Sequence, residues 1–145
     1  MLRTIDRYLL DTNIWSALIR RSHAGLVKRI ESLEQGRIAL SPVVLGELQV
    51  GCYKGDRSPK RLLVIDAIRA NSELLSINSR VSDIYAQLRV QLEQAGTSIG
   101  PNDTWIAAEA LHHKLVLITD NVREFSRIPG LTVENWLWPA DIYAD

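Results

Sequence analysis

Cysteine is nearly missing from this chain of 145 residues. Cys52 stands alone, so no intramolecular disulfide can form, and a thiolate zinc site would need more sulfur than the sequence holds. An excess of charge is missing too. Seventeen Lys and Arg balance seventeen Asp and Glu, which excludes a protein that coats nucleic acid through its overall field. Any nucleic-acid partner must be gripped by local basic patches. No uncharged run approaches the length of a membrane span or a signal-peptide core, because Arg3, Asp6 and Arg7 break up the apolar pieces at the start. Internal repeats and linkers of biased composition are absent as well. The composition, 46% hydrophobic, suits one globular domain over residues 1–145, with no membrane contact and a cytoplasmic location expected.

Periodicity organises that domain. Tyr8–Leu10 reads as a strand, and Ile14, Trp15, Leu18 and Ile19 share a face of the helix after it. Leu26, Val27, Ile30 and Leu33 mark a second helix stopping near Gly36, before a strand at Ile38–Leu40. Ser41 and Pro42 supply a cap and a first-position proline for a helix with Val43, Val44, Leu45 and Leu48, inside which sits Glu47. The polar turn "KGDRSP" precedes a helix with Leu62, Ile65 and Ile68, then a third strand over 74–77. Val81, Ile84, Tyr85, Leu88 and Leu92 continue a longer helix that ends near Gly96. Asn102 is expected to cap a helix bearing Trp105, Ile106, Ala107, Ala110 and Leu111, which leads into a fourth strand over 115–118. A turn at Pro129 and Gly130 introduces a short strand over 131–133. Strands alternating with helices predict an α/β fold: three layers, α/β/α, around a mostly parallel sheet of four to five strands, since parallel neighbours need crossover connections.

In such a sheet the strand ends and the helix beginnings share one rim, which sorts the carboxylates. Asp11 follows the first strand and Asp120 the fourth, and Asp103 opens the helix descending into the fourth. Glu47 lies five residues past Pro42, about 7.5 Å down its helix, with a side chain that leans back toward the rim. Four carboxylates so close repel one another unless a cation sits between them, and oxygen-only ligands favour Mg²⁺ or Mn²⁺ over zinc. The plainer alternative, helix caps and solvated charges on separate faces, stays open for each acid singly. Glu47 fits it least, because it is no cap and lies within "VVLGELQVG".

The blocks "LLDTN", "SPVVLGEL", "IGPNDTWIAAEA" and "LITDNVREF", in that order and followed by "IPGLTVENW", resemble the PIN-domain nucleases, and among them the VapC-type ribonuclease toxins of toxin–antitoxin pairs. The resemblance runs from Tyr8 to about Trp136. It implies a PIN-like nuclease fold and a Mg²⁺- or Mn²⁺-dependent endoribonuclease that cleaves a structured RNA, tRNA foremost, and inhibits translation. By position it implies Asp11, Glu47 and Asp103 as catalytic and metal-binding acids, with Thr12, Asn13 and Thr119 in support. Where the family often has an acid two residues after the strand-ending threonine, this chain has Asn121. Asp120 is therefore taken as the fourth carboxylate, and Asn121 as an amide or water-mediated ligand. The resemblance further implies a small cognate antitoxin and a homodimer.

Two other readings compete. One is a PIN-fold module that binds RNA or a protein without turnover. The other is an aspartyl-phosphate phosphatase using Asp11, although Asn13 stands where the haloacid-dehalogenase type of phosphatase has its second Asp. Among the remaining residues, Cys52 reads as a small buried hydrophobe, His112 and His113 as decoration of a helix end, and His23 as unassigned. Trp15 and Trp105 suit core faces, with Trp105 near enough to Asp103 to border a substrate groove. Trp136 and Trp138 are expected to be the most exposed aromatics, in a tail packing on the sheet. The basic residues in 54–61 and 123–127 are candidates for phosphate contact.

Overall fold

The computed structural model describes residues 6–55 and 59–137. Five short strands form one sheet, every pairing parallel: β1 (Tyr8–Leu10), β2 (Ile38–Leu40), β3 (Glu73–Leu74), β4 (Val116–Ile118) and β5 (Val133–Glu134). Their spatial order is β3-β2-β1-β4-β5. Between them run α1 (Thr12–Arg20), α2 (Ala24–Glu31), α3 (Pro42–Lys54), α4 (Pro59–Asn71), α5 (Ser79–Gln94), α6 (Pro101–His113) and α7 (Val122–Phe125). Helices cover both faces of the sheet, giving the three-layer α/β/α arrangement that the alternation of strands and helices predicts. The buried strands are apolar throughout because each faces helices on both sides: Leu9, Leu10, Ala39, Leu40, Leu117 and Ile118 have no exposed surface.

Strand order decides where a site can form. The chain winds outward from β1 through β2 to β3, then returns to β4 on the other side of β1. The reversal lies between β1 and β4, and the crevice outside the carboxyl ends of such a pair is where open α/β sheets bind ligands. β1 and β4 are in register, Leu9 beside Leu117 and Leu10 beside Ile118, so Asp11 and Thr119 emerge next to each other.

Several boundaries differ from the sequence reading. α6 begins at Pro101 with Gly100 as its cap residue, so Asn102 lies inside the first turn and caps nothing. Proline at the first helical position, with its φ already helical, outweighs the capping preference of Asn102. β3 is earlier than expected and β5 later; the turn before β5 is made by Gly130 at φ +80°, a conformation open to glycine. α7 is a single turn whose four residues carry no periodic signal. Trp136 is also not an exposed aromatic: it is buried against the edge of Tyr8, ring centroids 4.7 Å apart, beneath the Arg29 guanidinium at 4.2 Å. Its indole N–H donates to Glu134 Oε1 at 3.2 Å, so the tail packs on the sheet as expected. Trp138 and residues 56–58 lie outside the described residues.

Candidate active site

Asp11 is the best fixed of the acids. It leaves β1 in extended conformation and serves as N-cap of α1, its Oδ1 accepting from the Ile14 N–H at 3.0 Å. Its other oxygen, Oδ2, accepts from the Thr119 hydroxyl at the end of β4, and that hydroxyl in turn accepts from the Asn121 N–H at 3.0 Å. Both oxygens are thus engaged on the protein side, which suits a fixed ligand better than a nucleophile that must swing to a phosphate. Asp11 is only 6% exposed, and burial lifts its carboxyl from 3.8 to about 6. The hydrogen bonds from Thr119 and Ile14 oppose that rise, and the nearby charges of Asp120 and Asp103 add to it.

The other carboxylates arrive from two helices. Ser41 caps α3 through the Val43 and Val44 N–H groups, and Glu47 follows in the second turn, its Oε1 accepting from the Thr12 hydroxyl at 2.8 Å. Asp103 lies in the first turn of α6, half-buried. Its carboxyl is raised by burial first, then by the charges of Glu124 and Glu47. A hollow of about 100 Å³ opens among Asp11, Thr12, Asn13, Glu47 and Asp103, closed below by Asn121 and Phe125. At about 30 Å³ per water molecule, that space holds roughly three waters.

Six of the eight residues expected from the sequence line this hollow, and Thr119 stands directly behind Asp11. Asp120 does not line it. It is exposed on the rim, near enough for its charge to act on Asp11, while Asn121 takes the inward position. An acid without a place among the candidates, Glu124, stands beside Asn121. Its Oε2 accepts from the Asn121 side-chain N–H₂, and its charge acts on Asp103 more than that of Glu47 does. Positions 121 and 124 are one helical turn apart, so treating "NVRE" as a helix would have put both on one face.

The donor set fits a hard divalent cation: every polar side chain lining the hollow offers an oxygen, and a positive charge would relieve the burial and repulsion that raise Asp11 and Asp103. Among the described residues no three acids stand together at ligating distance, so an ion there would draw the side chains inward or bind partly through water.

Flanking space adjoins the hollow on two sides. One neighbour, about 220 Å³, shares Thr12 and Glu47 and includes Arg20 and Arg61. Another, wider, shares Glu47 and includes Asn102 and Trp105. Trp105 lies flat on Tyr85, centroids 3.8 Å apart and planes 8° from parallel. Cys52 is buried, and His112 and His113 end α6 at the pole opposite Asp103.

A family model described as the PIN domain matches residues 8–131. Ribonuclease VapC2 of Rickettsia felis is 36% identical over 130 residues, covering 89% of this chain and 97% of the relative. The tRNA(fMet)-specific endonuclease VapC of Shigella flexneri is 33% identical, covering 90% and 98%. Among solved structures, VapBC2 from Rickettsia felis bound to a DNA fragment from their promoter superposes with a TM-score of 0.82 at 35% identity, over 89% of this chain and 98% of that one.

Proposed function

This chain belongs to the PIN-domain family, and from that premise we propose that it is the toxin of a toxin–antitoxin pair: a metal-dependent endoribonuclease that hydrolyses phosphodiester bonds in a structured RNA and so inhibits translation. The observation that carries the reading is the meeting of Asp11, Glu47 and Asp103 in one hollow at the switch point of the sheet, with Asp11 and Asp103 both held above the ordinary carboxylate range.

The cation is Mg²⁺ or Mn²⁺, which when bound supplies positive charge to acidify a water and to neutralise the scissile phosphate. Asp11 and Asp103 would hold it. Glu47, oriented by Thr12, faces them across the hollow and is placed to take the proton of the attacking water. Thr119 and the Ile14 N–H fix the Asp11 carboxylate, and Asn13 borders the opening. Glu124 with Asn121 supplies the fourth corner, and Asp120 contributes charge from the rim. Arg20 and Arg61, beside Thr12 and Glu47, suit the phosphates that flank the cut.

A tRNA is the substrate class, in keeping with the name of the Shigella relative. The partner is a small cognate antitoxin, as in the VapBC complexes that the fold matches. We take the toxin to act as a homodimer, a reading supported by the exposed Val50 of α3, which lines the wider hollow. We take residues 1–145 as one nuclease domain acting in the cytoplasm; among the described residues no helix is long and apolar enough to cross a membrane. Purified protein incubated with a tRNA pool should cleave it with Mg²⁺ or Mn²⁺ and not with EDTA, and Asp103→Asn should abolish cleavage. Cleavage undiminished in EDTA or in a folded Asp103→Asn protein would overturn the assignment.

A further inference from the structure

A second carboxylate lies deep in α6 with no part in the chemistry above. Glu109 has no exposed surface and stands among Ile106, Ala107, Ala108 and Ala110, all buried. Its Oε1 accepts from the Ser41 hydroxyl at 3.0 Å, across 68 residues of chain. Its Oε2 is buried with no hydrogen-bond partner among the described residues. The unmet Oε2 costs the fold stability, and a leucine there would leave only the Ser41 hydroxyl without its acceptor, so the presence of the carboxyl asks for another reason.

That reason lies in what Ser41 does. Its hydroxyl proton goes to Glu109, and its lone pairs receive the Val43 and Val44 N–H groups at the start of α3. Glu109 therefore grips the first turn of the helix that delivers Glu47, from the helix that delivers Asp103. Apolar contact between two helices is non-directional and tolerates sliding; a hydrogen bond between a side chain and the capping residue does not. We propose that Glu109 is a positioning residue, a pin between α6 and α3 that sets the separation of Glu47 and Asp103 across the hollow. The role rests on the nuclease reading above. It needs an acceptor oxygen at Oε1 and no negative charge; burial pushes the carboxyl up to about 7, so the neutral form is well populated near neutral pH.

The test compares Glu109→Leu, Glu109→Gln and wild type by melting temperature, by Mn²⁺ affinity of the RNA-free protein in calorimetry, and by kcat and KM on a tRNA. Glu109→Leu trades an unmet Oε2 for an unmet Ser41 hydroxyl and should melt within about 3 °C of wild type, yet bind Mn²⁺ about tenfold more weakly and lose about tenfold in kcat with KM unchanged, the scale on which groups that orient metal ligands act. Glu109→Gln keeps the acceptor and should stay within about twofold of wild type in Mn²⁺ affinity, kcat and KM. Wild-type Mn²⁺ affinity and kcat in Glu109→Leu would overturn the pin, as would losses that follow a lowered melting temperature and appear equally in Glu109→Gln. If wild type bound no Mn²⁺, or Asp103→Asn bound it equally well, the nuclease reading itself would fall, and the pin with it.

Discussion

Replacing Asp11 by Asn should stabilise the metal-free protein while destroying its activity. In the folded chain the Asp11 carboxyl is raised from 3.8 to about 6, chiefly because it is buried. An acid whose folded value lies above its unfolded value binds its proton more tightly in the fold, so stability falls as pH rises from 3.8 to about 6 and stays low above that. At about 1.4 kcal/mol for each pH unit, ionised Asp11 costs the fold about 3 kcal/mol at neutral pH, a large share of the 5–15 kcal/mol (roughly) that holds a domain together. Asn is isosteric and uncharged: its carbonyl can accept from the Ile14 N–H, and its amide can donate to the Thr119 oxygen. The rise to about 6 is already net of the hydrogen bonds that favour the charge, so a gain approaching about 3 kcal/mol is expected, or roughly 6–12 °C in melting temperature for a chain of this size. Differential scanning calorimetry in EDTA at pH 4, 6 and 8 reads the effect. The gain should be near zero at pH 4 and full at pH 8. Mn²⁺ at about a hundred times its Kd should then add about 2.7 kcal/mol to wild type and little to Asp11→Asn. An Asp11→Asn protein that melts lower than wild type in EDTA at pH 8, or a gain that is the same at pH 4 and pH 8, would refute the reasoning.

Other expectations concern the fourth corner and the tail. Glu124→Gln should weaken Mn²⁺ binding and cleavage about tenfold, because Glu124 acts on Asp103 and anchors Asn121, whereas Asp120→Asn should change either by less than about threefold; calorimetry and initial rates on the same RNA would rank the two, and the reverse order would restore Asp120 to the site. Trp136→Ala removes a buried ring, its contact with Tyr8 and its cover by Arg29, and should cost about 3–5 kcal/mol of stability in denaturant titration. A loss below about 1 kcal/mol would mean that the tail does not hold the sheet edge.

The sequence made much of the site legible because three of its acids sit at places that local chemistry fixes. Asp11 ends an apolar strand, Asp103 falls in a first turn announced by proline, and Glu47 follows a Ser-Pro start by a countable rise. The fourth corner was hidden for a physical reason. After β4 the chain makes one helical turn, too short for a periodic pattern, and whether 120 or 121 points inward depends on the direction in which Thr119 leaves the strand. Asp120 lies exposed on the rim, Asn121 lines the hollow, and Glu124 accepts a hydrogen bond from the Asn121 side chain. Trp136 was misjudged because its position near the chain end says nothing of Arg29 and Tyr8, which cover it from distant elements. Glu109 could not be read at all: in "IAAEAL" it is one polar residue on an apolar helix, and its partner lies 68 residues away.

The central claim, that these acids cut RNA, is tested most directly by sequencing RNA 5′ ends from bacterial cells after brief expression of wild type beside Asp103→Asn. New ends should accumulate at one or a few sites in a structured RNA, tRNA foremost, in wild type alone. Identical end profiles in the two strains, with both proteins folded and equally abundant, would contradict the account.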